Sequence, residues 1–375
     1  MRCMRYEPLG KRRKTLCLER WRALRAKPTV GSLEERRGKN WRAYYQLWPL
    51  FLRFSSSSVA TSPGLLEESV KMAVATKSYK QIPDLLQSKE ESCKAKNPFS
   101  FLSAFTLGYR TQVVDEMLQS FIPLKPHSRL KNTYHYLLTY TLQSSEPFPL
   151  ALATIQRTLR SGCTPFPQAH LLLSSAWIDH RSHSRSVPSI LLDMKSIGYR
   201  PDSGTCNFII TSLCAVNQLE EAVEVIQGMV KTACIPDVES YCTVIAAFSA
   251  LRKTDKAVTL LKEMVGKLNI SPRQGTLVKL AASLRANKEI WRAAEMIEFL
   301  EQKGFHIGFE CYELVVEGCL ECKEFILAGK MAMLMTDRGY IPYIKVRQKV
   351  VEGLAEVGEW RLACAVRHKF AELNS

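Results

Sequence analysis

The stretch NQLEEAVEVIQGM, Asn217–Met229, returns 35 residues later as RKTDKAVTLLKEM, Arg252–Met264. Identical letters survive only at Ala222/Ala257, Val223/Val258 and Met229/Met264. These are the positions that a packed helix restricts most. Self-similarity at a period of about 35 residues marks stacked supersecondary repeats.

The alanine fixes the phase. It recurs as Ala151, Ala222, Ala257, Ala293, Ala328 and Ala363, with Val187 filling the gap. The steps are 35 or 36 residues. A large apolar residue follows seven or eight positions on, at Leu159, Met194, Met229, Met264, Leu300, Met335 and Phe370. A proline closes most units, at Pro165, Pro201, Pro236, Pro272 and Pro342, with Ile307 in the remaining slot.

Each unit reads as two helices. In the unit from Ser203 to Asp237, Cys206, Ile209, Ile210, Leu213 and Cys214 share one face of a first helix. Leu219, Ala222, Val223, Ile226, Met229 and Val230 do the same for a second. Asn217 followed by Glu220 reads as a capping box for that second helix, and Pro236 ends the unit. A small side chain is required where helices cross closely, because a larger one would cost roughly 1–3 kcal/mol by overpacking. A two-helix unit cannot bury its own apolar face, so the units must stack. The expected fold is all-α: a solenoid of antiparallel helix pairs in a right-handed superhelix, occupying residues 131–375, with degenerate repeats or a helical cap at 63–130.

The chain has 375 residues and is 46% hydrophobic, which suits a folded body. No apolar run reaches the roughly 18 residues of a membrane helix, so no membrane partner is expected. The net charge of +16 is uneven. Residues 1–63 carry 15 basic and 4 acidic residues; the remainder carries 37 and 32. The body is mildly basic, which permits contact with a phosphate backbone without demanding it. Residues 1–62 are Arg-rich and contain SSSSVA, the composition of an organellar transit peptide, against which stand Glu7, Glu19, Glu34 and Glu35. A retained basic arm and a start codon further in are the other readings of this segment. A mitochondrial destination is expected, with the plastid as the alternative.

Cys206, Cys242 and Cys311 stand where neighbouring units have apolar residues, and read as small buried hydrophobes. Cys319 and Cys322 form a CxxC, but no second CxxC or histidine pair accompanies it. It reads as two cysteines on one helix, not a metal site. There is no GxxxxGK[ST], GxGxxG or HExxH, and no spacing that marks a nucleophile. The expectation is a non-enzyme without cofactor or metal.

PDSGTCNFIITSLCAVNQLEEAVEVIQGMVKTACIPD, Pro201–Asp237, and PDVESYCTVIAAFSALRKTDKAVTLLKEMVGKLNISP, Pro236–Pro272, closely resemble pentatricopeptide repeats of the plant organellar P class. The period, the terminal Pro-Asp, the LEEA and the closing Met carry the resemblance. It implies a protein that binds single-stranded RNA along its first helices, one base per repeat, in transcript processing, stability or translation. RNA-processing or ribosomal proteins are the further partners it implies. In that family the fifth and last residues of a unit read the base. The resemblance places Asn207 and Asp237 in those roles, a combination that favours uridine. The other pairs are His135/Phe166, Leu171/Asp202, Cys242/Arg273, Val278/Gly308 and Glu313/Tyr343. Leu171, Val278 and Gly308 offer no side-chain hydrogen bond to a base, and Glu239 occupies a position the family keeps apolar. The expected RNA contacts are therefore Asn207, Asp237, Asp202, Cys242, Arg273 and His135, with Lys279 beside them. The alternative is a structural subunit of an organellar ribosome or other ribonucleoprotein complex, without base-specific reading.

Overall fold

The computed structural model describes residues 64–87, 96–181 and 185–373. The leader at 1–62 lies outside them. Among the described residues there are α-helices and short 3-10 turns, and no strand. Helices α1 (Gly64–Ala75), α2 (Ile82–Gln87) and α3 (Leu107–Ser120) come first. Seven helix pairs follow: α4 (Lys131–Leu142) with α5 (Phe148–Arg160), α6 (Pro167–Arg181) with α7 (Val187–Ser196), and α8 (Ser203–Ala215) with α9 (Leu219–Lys231). Next are α10 (Val238–Ala250) with α11 (Thr254–Gly266), α12 (Gln274–Ala286) with α13 (Ile290–Gln302), α14 (Phe309–Glu321) with α15 (Phe325–Asp337), and α16 (Ile344–Glu356) with α17 (Trp360–Glu372).

Consecutive first helices pack on one another from α4 to α16 and form one wall of the solenoid. The second helices form the other. The core runs between the two walls, and every phase marker lies in it: Ala151, Val187, Ala222, Ala257, Ala293, Ala328 and Ala363 are all buried. The reading of two packed helices per 35 residues is borne out.

The turn inside each of the last five pairs is made the same way. Asn217, Arg252, Lys288, Lys323 and Gly358 all have left-handed backbone, with φ of 57–81°. The next amide reaches back over the turn: Gln218 N–H to Leu213 O at 2.9 Å, Lys253 to Phe248 at 3.0 Å, Glu289 to Leu284 at 2.9 Å. Glu324 to Cys319 (2.8 Å) and Glu359 to Leu354 (2.9 Å) continue the series. This six-to-one bond closes a Schellman turn and satisfies a carbonyl that the helix end would otherwise leave bare.

The turn overturns the expected capping box at Asn217. Its left-handed φ of 60° spends Asn217 on ending α8, and the residue at the N-cap of α9 is Gln218, whose side chain makes no capping bond. The stripe on α9 is also shifted. Val230 is 61% exposed, while Val225 and Gly228 are buried. A helix turns about 100° per residue, so Val223 and Val230 fall on the margin of the arc centred near Ala222 and Met229, and Val225 falls inside it. On the first helix Cys206, Ile209, Ile210 and Leu213 are buried and Cys214 is half-buried, as the periodicity requires.

Two helical glycines lie where a first helix meets the second helix before it. A Cβ on Gly318 would stand 2.6 Å from Ile290 Cδ1, and one on Gly353 2.1 Å from Phe325 Cδ1. Both are the same contact one repeat apart: a first helix against the first residue of the preceding second helix. Cys206, Cys242, Cys311 and Cys319 are buried. Cys322 caps the end of α14 and so sits just outside the helix that carries Cys319.

Candidate nucleic-acid interface

The linker that enters each first helix crosses the preceding first helix near its start. This brings the last residue of one unit against the fifth residue of that same unit. Four of the six pairs named from the sequence are in contact, and each makes a different one.

The α8–α10 seam is the most elaborate. Asp237 is the N-cap of α10, with extended backbone, and its Oδ1 accepts from the Ser240 amide at 3.0 Å. Ser240 Oγ returns the bond, accepting from the Asp237 amide at 3.2 Å. This capping box satisfies two amides that a helix start leaves unpaired. The carboxylate reaches across the seam as well. Asn207 Nδ2 donates to Asp237, 3.0 Å from Oδ1 and 3.1 Å from Oδ2. Ser240 Oγ gives its proton to Asn207 Oδ1 at 2.6 Å. Both ends of the Asn207 amide are thereby held, so its orientation is fixed. A primary amide has two N–H donors and two acceptor sites. One of each is used here, and one of each remains. Partial burial alone would raise the Asp237 pKa, but the amide of Ser240 and the side chains of Asn207 and Ser240 outweigh it and hold the carboxyl below its usual range.

Asp202 is a cap before it is anything else. Its Oδ1 takes the Thr205 amide at 2.9 Å and the Thr205 hydroxyl at 2.6 Å. Its Oδ2 takes Arg160, Nε at 3.1 Å and Nη2 at 2.9 Å. Burial opposes ionisation, and these donors outweigh it. Its sequence partner Leu171 is a half-exposed apolar side chain with nothing to offer the carboxylate.

Cys242 is buried, and its Sγ accepts from the Arg273 amide at 3.5 Å. The Arg273 guanidinium meets Glu239 instead, Nη2 to Oε2 at 2.5 Å. Arg273, an RNA contact expected from the sequence, thus has its guanidinium in an exposed ion pair. Lys279 stays exposed.

The His135 ring lies 4.4 Å from that of Phe166, at 52°. Lys131 Nζ stands 4.8 Å above the same Phe166 ring. Burial pushes the His135 pKa down, so the imidazole is neutral at physiological pH and supplies no charge. At Val278/Gly308 the contact passes to Gln274: its Oε1 accepts from the Gly308 amide at 2.7 Å, and its Nε2 donates to His306 O at 2.6 Å. At Glu313/Tyr343 the Tyr343 amide donates to Glu313 Oε1 at 3.3 Å.

Ser240 and Gln274 are the residues that sequence reading passed over. Ser240 was legible: Asp237-Val-Glu-Ser240 has the spacing of a capping box, with the serine taking the place more often held by Glu or Gln. Gln274 left no such mark, because its two partners lie 32 and 34 residues away.

A model of the PPR repeat family matches residues 201–250, and a PPR repeat model matches residues 239–267. A pentatricopeptide repeat-containing protein of Arabidopsis thaliana is 57% identical over 310 residues, 83% of this chain and 90% of that protein. The small ribosomal subunit protein mL103 (rPPR7) of Arabidopsis thaliana is 27% identical over 117 residues, 31% of this chain and 28% of that protein. Among solved structures, the pentatricopeptide repeat protein PPR10 from maize aligns with a TM-score of 0.37 at 12% identity; 89% of this chain is covered, spanning 57% of that one. PPR10 in complex with an 18-nt psaJ RNA element aligns with a TM-score of 0.31, also at 12% identity, covering 95% of this chain and 58% of that one. The 35-residue helix pairs, the repeat matches and an extended 57% identity lead to one conclusion: the chain belongs to the pentatricopeptide repeat family.

Proposed function

We propose that the protein is a non-catalytic, organellar adaptor that binds single-stranded RNA along the wall of first helices and acts in transcript processing, stability or translation. The carrying observation is the Asn207 amide, clamped by Asp237 at 3.0 Å and by Ser240 at 2.6 Å. A clamped amide presents one donor and one acceptor in a fixed order. Uracil offers the complement, an N3–H donor flanked by carbonyl acceptors, so uridine is the preferred base at this seam. Asp237 and Ser240 act as positioning residues. Asp202, Cys242 and His135 serve the edge through helix capping and packing. Arg273 meets a phosphate only by leaving Glu239.

The test is a gel shift of the full chain against single-stranded RNA oligomers. Retention of uridine-containing oligomers is the expected result, and indifference to every oligomer would overturn the reading. The mitochondrial destination, with the plastid as the alternative, rests on the composition of residues 1–62. A reporter fused to that segment and left in the cytosol would contradict it.

A second reading, a structural subunit of an organellar ribosome or another ribonucleoprotein complex, draws on two observations. Asp202 and Arg273 are already paired within the protein, and a stretch of the chain resembles a ribosomal protein. Stable co-sedimentation with ribosomes that survives ribonuclease and Asn207→Ala would favour it over the first.

A further inference from the structure

Three repeats beyond Asn207, the same register puts Glu313 on α14, and its surroundings are of another kind. Glu313 is only 6% exposed. Its Oε1 has the long bond from the Tyr343 amide, and its Oε2 is buried without a hydrogen-bond partner. A buried carboxylate oxygen with no partner is costly, and native structures seldom tolerate one without a reason. Glu313 lines an open cleft together with Phe309, Glu310, Glu317 and Tyr343.

The walls of the cleft define what it accepts. Phe309 and Tyr343 stand edge to face, ring centroids 5.2 Å apart, and the Tyr343 side is 64% exposed. Glu310 is exposed and has no ion-pair partner among the described residues. Glu317 is held back by Arg285, Nη1 to Oε2 at 2.5 Å. The exposed, unpaired carboxylate of Glu310 repels a phosphate backbone, so this part of the wall is unsuited to the nucleic acid assigned to the Asn207 seam. An apolar group would leave Glu313 Oε2 unsatisfied. A guanidinium meets every demand at once: planar N–H donors for Glu313 Oε2 and Glu310, and a flat cationic face for the aromatic rings. An ammonium offers charge without that planar fork.

We propose that this cleft takes an arginine side chain from a basic segment of a partner protein. The site is separate from the seam proposed to read RNA and does not depend on it. It gives the adaptor a protein-recognition point on the same wall of helices.

The test uses the full chain and fluorescence anisotropy with a labelled Gly-Ser peptide carrying three arginines, compared with its citrulline and lysine counterparts. The arginine peptide should bind about tenfold more tightly than either, the scale of one charge-assisted hydrogen bond. Glu313→Gln and the exposed Tyr343→Ala should each remove about that factor, while Glu313→Gln leaves the affinity for uridine oligomers unchanged. Asn207→Ala should leave peptide binding intact, so failure of RNA reading and failure of this site are told apart. Equal binding of the three peptides would overturn the proposal. So would unaltered peptide binding in both variants, or a Glu313→Gln loss that falls on RNA instead of on the peptide.

Discussion

Gly353 on α16 stands against the ring of Phe325, the first residue of α15, so closely that a Cβ would lie 2.1 Å from Cδ1 and 2.7 Å from Cγ. The whole ring, not only its far edge, would have to move. Gly318 meets Ile290 in the same way one repeat earlier. Helix interiors normally disfavour glycine by about 0.5–1 kcal/mol relative to alanine. Here the lost propensity is offset by the approach of two walls.

Gly353→Ala should therefore destabilise the protein by about 1–3 kcal/mol despite its better helix propensity. Urea denaturation measures it. Combining it with Phe325→Ala should recover part of the loss, because the methyl then has room. A more stable Gly353→Ala would mean that the walls are not in contact at this point.

Glu313 predicts a pH dependence. Burial is the main cause that pushes its carboxyl above the usual range, with Glu317 adding to it and the Tyr343 amide opposing. A carboxyl raised in the folded state stabilises that state fully below the unfolded pKa, and loses this contribution as pH rises through the folded value. Glu313→Gln removes the loss. Its melting temperature relative to wild type should climb from pH 4 to pH 8, and a difference flat with pH would contradict the assignment. Stability gained where arginine binding is lost would identify Glu313 as a residue kept for binding.

The ion pair Glu239–Arg273 sets a third expectation. Glu239→Gln frees the guanidinium, so affinity for all RNA oligomers should rise without a change in base preference. Arg273→Ala should lower affinity uniformly and reduce the slope of log affinity against log salt by about one. Salt titrations of both variants decide it; opposite behaviour would place the backbone elsewhere.

The helices and their faces were legible because they depend on local periodicity. Ala222, Ala257 and Ala293 recur in phase, and all are buried. The Asn207–Asp237 contact was legible through the family's register, which names the positions that meet. What escaped depends on groups brought together by stacking. Glu239 and Arg273 are 34 residues apart in the chain and touch only because α10 and α12 are neighbours. The role of Asn217 was misread for a local reason: a good capping residue is also tolerant of left-handed backbone, and the Schellman turn claimed it first. Glu313 looked like one more departure from the pattern, and only its burial shows an oxygen without a partner.

The most direct test of base reading is a binding titration of wild type and Asn207→Ala against RNA oligomers that differ at one base. The account predicts that the wild type prefers uridine there and that Asn207→Ala loses discrimination at that base alone, by roughly 1–3 kcal/mol, with stability near wild type. Equal losses on every oligomer would contradict it and assign the clamped amide to holding α8 against α10.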